Sequence, residues 1–175
     1  MTTKKLYALP EEKLRFIEPM YATLVQELPD GNAWTYEAKL DGYRCLAGRQ
    51  KNGVTLWSRR GNLFTARFSE IARACEKLSA DTLIDGEIIA IDDDGRVSFN
   101  ALQHARSNAH LQFYAFDILI DHGRRLLTVP LETRRELLAE ALDNLDYPVI
   151  FSQTLRETAG SHSCCQRAAT RRNHR

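Results

Sequence analysis

No stretch of this 175-residue sequence approaches the roughly 20 consecutive apolar residues that a membrane-spanning helix needs. The segment Met1 to Met20 scatters Lys, Glu, Arg and Pro among its apolar residues, so it lacks the continuous apolar core of a secretory signal. The expected compartment is the cytoplasm, with no membrane partner. Cysteine is scarce, at four residues. Cys164 and Cys165 are adjacent, with no C-x-x-C or His-spaced pattern around them, which removes support for structural zinc or a disulfide framework. Cys45 and Cys75 fall in apolar-patterned segments, where a buried thiol is the expected reading. A basic excess is missing too. The formal charge is +1, and residues 156–175 hold five arginines against the single acid Glu157. That leaves 19 basic and 22 acidic residues, a net charge of −3, for residues 1–155. Net charge therefore gives no ground for a nucleic-acid partner. Internal repeats and low-complexity linkers are also missing.

What is present is the composition of a globular domain, 43% hydrophobic and 27% charged, in a chain long enough for one core. Residues 33–58 read as three strands in close succession, with Asn52-Gly53 as the turn before the third. In the first, Trp34, Tyr36, Ala38 and Leu40 alternate with Glu37, Lys39 and Asp41, which places the charged trio on one face. Phe68, Ile71, Ala72, Cys75 and Leu78 follow helical spacing, which predicts a helix over 66–78. A strand is expected over 82–91, a turn at Asp92-Asp93-Asp94-Gly95, a short helix over 98–106 and a strand over 110–120. A helix over 131–142 and a strand from 148 to 151 complete an α+β pattern, with mixed and antiparallel sheets flanked by helices. After about Leu155 neither apolar period nor turn logic continues. Residues 1–155 are expected to form the domain and 156–175 an irregular, disordered basic tail.

Some residue groups suggest chemistry. In Lys39-Leu40-Asp41-Gly42-Tyr43-Arg44 a lysine precedes an acid, a glycine and an arginine. A lysine with an ordinary pKa of about 10.4 is protonated near neutrality and cannot attack phosphorus. Partial burial or adjacent positive charge, from Arg44 or a metal ion, would favour the free amine. Gly42 would let the backbone turn tightly beside bound phosphates. Asp85 and Glu87, in Leu83-Ile84-Asp85-Gly86-Glu87-Ile88-Ile89-Ala90, alternate onto one strand face. A carboxylate there could accept from hydroxyls or ligate a hard cation.

These segments, in this order, resemble the covalent nucleotidyltransferases, and specifically the adenylation domain of ATP-dependent DNA ligases of the bacterial end-joining type. Lys39 to Arg44 is similar to the K-x-D-G-x-R nucleophile motif. Ser58-Arg59-Arg60-Gly61-Asn62 resembles the S-R-x-G segment, Asp85-Gly86-Glu87 the D-G-E strand, and Phe113 to Leu119 the strand whose aromatic, here Phe116, stacks on the nucleobase. Pro130 to Leu138 resembles a P-L-x-x-R-R-x-x-L helix start, read as a fold signature with Arg134 and Arg135 on a solvated face. Phe99 to Arg106 is similar to an F-x-x-L-Q-x-R stretch.

The resemblance implies an ATP-grasp-like nucleotidyltransferase fold. It implies Lys39 as the residue adenylated, a nucleotide pocket of Glu37, Arg44, Arg59, Glu87 and Phe116, and supporting roles for Asp41 and Gly42. Asp117 is expected to order backbone. The implied substrate is ATP with Mg²⁺ or Mn²⁺, Glu87 being the candidate metal ligand. Nicked or broken double-stranded DNA is the implied partner, with end-joining proteins alongside, in a bacterial cytoplasm at the nucleoid. The family's E-G-x-V and K-x-K motifs do not occur, so the domain is expected to be incomplete at its C-terminus and the chain a poor ligase. A remnant that at most binds nucleotide, and an RNA ligase or capping-type enzyme, remain the alternatives.

Overall fold

The strands of one large sheet divide their residues between its two faces. The computed structural model describes residues 6–27, 29, 34–104, 110–155 and, as backbone, 167–171. The strands are β1 (Trp34–Ala38), β2 (Tyr43–Gln50), β3 (Gly53–Ser58), β4 (Thr82–Ile91), β5 (His110–Asp121), β6 (Arg124–Arg125), β7 (Val149–Phe151), β8 (Thr154–Leu155) and β9 (Arg167–Arg171). The helices are α1 (Ser69–Ala74), continued by a 3₁₀ turn at Cys75–Lys77, α2 (Phe99–His104) and α3 (Leu131–Leu142). The large sheet runs β3-β2-β4-β5-β6 with antiparallel neighbours, and β7 pairs parallel with β5. A smaller sheet has β1 between β8 and β9, antiparallel to both. Among the described residues no helix is long and apolar enough to cross a membrane.

One face of the large sheet presents Cys45, Ala47, Leu56, Ile84, Ile88, Ala90, Phe113, Ala115 and Ile118 to the helices, which return Ile71, Ala72, Leu102, Leu137 and Leu138. These residues form the main core. Burial pushes the Cys75 thiol up to about 12 and raises Cys45 as well, as expected of inert interior thiols. The opposite face divides into two. At one end Leu46, Leu83, Leu119 and Ile120 lie under Leu14, with Phe16, Ile17 and Trp57 packed around them. At the other end the same strands carry Arg44, Asp85 and Glu87.

Several expectations hold to the residue. The strand over 82–91 and the helix over 131–142 have the predicted limits, and Gly95 N–H closes the acidic turn on Asp92 O at 2.9 Å with φ +77. Two details differ. The alternation starting at Trp34 stops being a strand at Ala38, so Lys39, Leu40 and Asp41 form the connection to β2. Within the segment read as an irregular tail, residues 167–171 form β9 beside β1. The remaining tail, and residues 105–106 of the expected short helix, lie outside the described residues.

Two glycines are fixed by close approach. A Cβ on Gly86 would stand 2.5 Å from Phe113 Cε2 and 2.5 Å from Tyr114 O. One on Gly42 would stand 2.1 Å from Ile88 O, so β4 passes against the backbone just after Lys39. Gly95, by contrast, has open space and only its positive φ against substitution. Gly86→Ala should therefore destabilise the fold by roughly 3 kcal/mol, through overpacking. Gly95→Ala should cost about 1 kcal/mol, the strain of a left-handed residue. Urea unfolding of both variants checks this; equal losses would contradict the packing argument.

Candidate active site

Adjacent strands of the large sheet deliver the charged residues in a row. Arg44 is the cross-strand partner of Glu87, and Glu87 of Tyr114. Asp85 lies two residues along the same face and is opposite Asp117. The Arg44 guanidinium takes Asp85 in a fork, Nε to Oδ1 at 2.7 Å and Nη2 to Oδ2 at 2.8 Å. Its flat face rests on Phe116, 4.4 Å from the ring centroid.

Phe116 reaches this position because β5 is irregular. Asp85 is opposite Asp117 but Gly86 is opposite Ala115, so Phe116 is the extra residue of a β-bulge. A bulge re-aims side chains. Here it leaves both Phe116 and Asp117 only partly buried, between the core residues Ala115 and Ile118.

Lys39 is exposed, and it stands close enough to Glu87 for its charge to act on that carboxyl. The Gly42 backbone also favours the charged form of Glu87, and its close packing on Ile88 O ties the chain just after the lysine to the middle of β4. Burial, opposed by Arg44, Gly42 and Lys39, pushes Glu87 up to about 7. Burial also raises Glu37, against the pull of Arg135. Asp85 is raised by burial with the Arg44 pair drawing it back, while for Arg44 that pair outweighs burial and raises its pKa.

The site as predicted is thus partly assembled. Lys39, Gly42, Arg44, Glu87 and Phe116 converge, and Glu37 is near enough for Arg44 to act on it. Asp41 is exposed on the connection. Arg59 makes its contact elsewhere: its guanidinium lies 4.6 Å from the centroid of the Tyr21 ring. The expected base platform also carries an unforeseen occupant, since Arg44 covers one face of Phe116.

The reading of Arg134 and Arg135 as a solvated pair is corrected. Their side chains are only 13% and 10% exposed. Arg134 grips Asp117 in a second fork at 2.8 and 2.9 Å and donates to Val129 O at 2.7 Å. Arg135 donates to Glu37, to Phe116 O and to Ser152 O. The signal was in the helical period. Arg134 lies four residues before the buried Leu138, and Arg135 three before it, so both fall on or beside the inward stripe. Asp117, expected to order backbone, accepts from Ile118 N–H at 2.8 Å besides holding Arg134. Asp85 and Ser152 were not predicted to take part.

Among the described residues no group of three or more His, Cys, Asp or Glu side chains could hold a metal ion. Glu87 offers one carboxylate, so the side chains present do not fit a protein-built site for Mg²⁺ or Mn²⁺. A shallow cleft beside Lys39 is lined by Ala38, Leu40, Tyr114, Ile150, Phe151 and Ser152.

Two solved structures share this arrangement of strands. One, described as mycobacterial DNA ligase D complexed with ATP and MES, superposes with a TM-score of 0.61 at 32% identity, covering 70% of this chain and 40% of that one. The ligase domain of Mycobacterium tuberculosis LigD gives 0.59 at 30% identity, covering 71% and 41%. The class is an α+β adenylation-type domain built on a curled, mainly antiparallel sheet.

The family profile described as ATP dependent DNA ligase domain matches residues 19–162. The chain belongs to that family and is related to the ligase domains of bacterial LigD end-joining proteins. The multifunctional non-homologous end joining protein LigD of Pseudomonas aeruginosa is 36% identical over 147 residues, 81% of this chain and 17% of its own length. DNA ligase C1 of Mycolicibacterium smegmatis is 35% identical over 144 residues, 73% of this chain and 41% of its own. This chain thus spans less than half the length of these relatives.

A carboxyl raised from 4.5 to about 7 by burial weakens the fold as it ionises. Its neutral form, favoured in the folded state, contributes fully below pH 4.5, and that contribution is lost as pH rises to about 7. Glu87→Gln should therefore gain stability relative to the unsubstituted chain across that window and hold a constant advantage above it. The gain should be about 2 kcal/mol, discounted from the full shift because the site is partly open to water. Denaturant unfolding from pH 4 to 8 measures it, and a flat difference would overturn the assignment.

Proposed function

We propose that this chain carries the nucleotide-transfer half of an ATP-dependent DNA ligase, with Lys39 as its nucleophile. The observation that carries the reading is the convergence of Lys39, Gly42, Arg44, Glu87 and Phe116 at one end of a sheet face whose other end is apolar and covered. In the proposed step the Lys39 Nζ lone pair forms a bond to the α-phosphorus of ATP. The bond from that phosphorus to the bridging oxygen of the β-phosphate breaks, and pyrophosphate leaves with the electron pair. The amine must first shed a proton. Glu87, held near neutrality by burial, is the adjacent carboxylate that can take it.

In the complete reaction AMP passes from Lys39 to a DNA 5′-phosphate, and the 3′-hydroxyl of the nick displaces it. Glu37 and Phe116 are proposed to face the nucleobase, with Arg44 swinging off the ring to the sugar or phosphates. Arg59 remains a proposed phosphate contact that must move away from Tyr21. Arg44, Arg134 and Arg135 are already paired with carboxylates. Charge stabilisation of a triphosphate therefore draws on few uncommitted cations, which supports slow chemistry in the 175-residue chain by itself.

Intact-mass analysis after incubation with ATP and Mg²⁺ should show the increment of one AMP, mapped to Lys39. Lys39→Ala should lose it by at least about 10³-fold, the scale expected for removing a nucleophile. GTP in place of ATP should give no adduct; a GMP adduct would favour a capping-type enzyme. No adduct with either nucleotide would favour a remnant without transfer activity.

A further inference from the structure

The strand that leads into Lys39 belongs to the small sheet. Among the described residues its strand partners are β8 and β9, and no ladder joins it to the large sheet that holds Glu87 and Phe116. Its position relative to them must be fixed by other means. Close packing of Gly42 on Ile88 of β4 is one. Arg135 is another.

One planar guanidinium there joins three segments. Nη1 donates to the Glu37 carboxylate on β1 and to Phe116 O at the bulge of β5; Nη2 donates to Ser152 O just after β7. Its face lies 4.8 Å from the centroid of the Phe151 ring, which closes it off from water. Glu37 is two residues before Lys39, so the contact lies at the base of the segment that presents the amine. A fixed fork can serve several acceptors at once, whereas an ammonium is a point charge on a flexible stem.

The neighbouring Arg134 makes an equally good carboxylate fork, but its partners Asp117 and Val129 lie on β5 and just before α3. It braces the helix, and these bonds do not reach β1.

We propose that Arg135 is a positioning residue, clamping β1, which leads directly into Lys39, to the bulge at Phe116 so that the amine is held in line for attack. This rests on Lys39 being the nucleophile. A lysine held in place contributes to the rate once nucleotide is bound, because misplacing reacting atoms by about 1 Å can cost on the order of 10²-fold. It contributes less to nucleotide affinity.

The test compares Arg135→Lys with Arg134→Lys in the whole chain. For Arg135→Lys the rate of AMP-adduct formation at saturating ATP should fall at least about tenfold, while half-saturation shifts less than about threefold. Arg134→Lys should leave both within about twofold of the unsubstituted chain. Equal effects of the two variants, or a loss seen only in half-saturation, would overturn the clamp.

Amide hydrogen exchange on the free protein separates this proposal from the reading it rests on. Exchange over residues 36–42 should quicken at least about tenfold in Arg135→Lys, and not in Arg134→Lys. If the unsubstituted chain forms no adduct, the ligase reading fails, and exchange alone decides whether the clamp exists. Should Arg135→Lys not fold, Glu37→Gln cuts the same link from the other side and should loosen the same residues. Unchanged exchange in whichever variant folds would overturn the proposal.

Discussion

Three arginine–carboxylate pairs fix the elements around this site: Arg44–Asp85 and Arg135–Glu37 join the segments that carry its residues, and Arg134–Asp117 braces α3 against β5. Asp85, Asp117 and Glu37 are drawn out of water by the sheets and α3, and each is met by one guanidinium: Arg44, Arg134 and Arg135. An unpaired charge in such surroundings would cost several kcal/mol, so each pair constrains the position of the elements it spans. Arg44–Asp85 ties β2 to β4. Arg134–Asp117 ties α3 to β5. Arg135–Glu37 reaches across to the small sheet. Glu87 sits in the same field without an arginine fork among the described residues, and burial pushes its carboxyl up to about 7.

The bulge in β5 completes the arrangement. A regular strand would send Phe116 and Asp117 to opposite faces. With Phe116 inserted opposite the Asp85–Gly86 step, the ring meets Arg44 while Asp117 faces Asp85 and reaches Arg134. The missing side chain at Gly86 admits Phe113 to within contact of β4 on the other face. One local irregularity therefore serves the core on one side and the charged cluster on the other.

What could be read in the sequence was what repeats along it or keeps chemical identity at fixed spacing. The ten residues of β4 and the twelve of α3 carry enough apolar period to set their own ends. Lys39, Gly42, Arg44, Glu87 and Phe116 were found because their types occur together in family order, and the fold brings them together. The misreadings concern contacts across distant segments. Arg135 looks like an ordinary helix charge until Glu37, 98 residues earlier, is brought against it, and Arg134 until Asp117 is. Arg44 on Phe116 is likewise invisible locally, because neither residue's neighbours show that β5 is bulged. Lys39 was placed within a strand by alternation, yet the ladder ends at Ala38, where close packing of Gly42 on Ile88 turns the backbone.

On the proposed reading, nucleotide entry must disturb this balance, and the way it would do so links the site to the length of the relatives. A base cannot stack on the Arg44-covered face of Phe116 while that guanidinium stays 4.4 Å from the ring centroid. Moving Arg44 to the sugar or phosphates would strip Asp85 of its fork, a loss that the negative phosphates would aggravate. The exchange is favourable only if further positive charge arrives with the nucleotide. Near Lys39 the described arginines are committed, and Arg59 is turned to Tyr21. In the solved relatives about three fifths of the chain lies beyond the matched region, which covers 40% of the mycobacterial ligase D. Charge supplied from such a region would let Arg44 leave Asp85 without isolating it. The paired arrangement is thus physically suited to a free site, and the energy of rearranging it falls on whatever else contacts the phosphates.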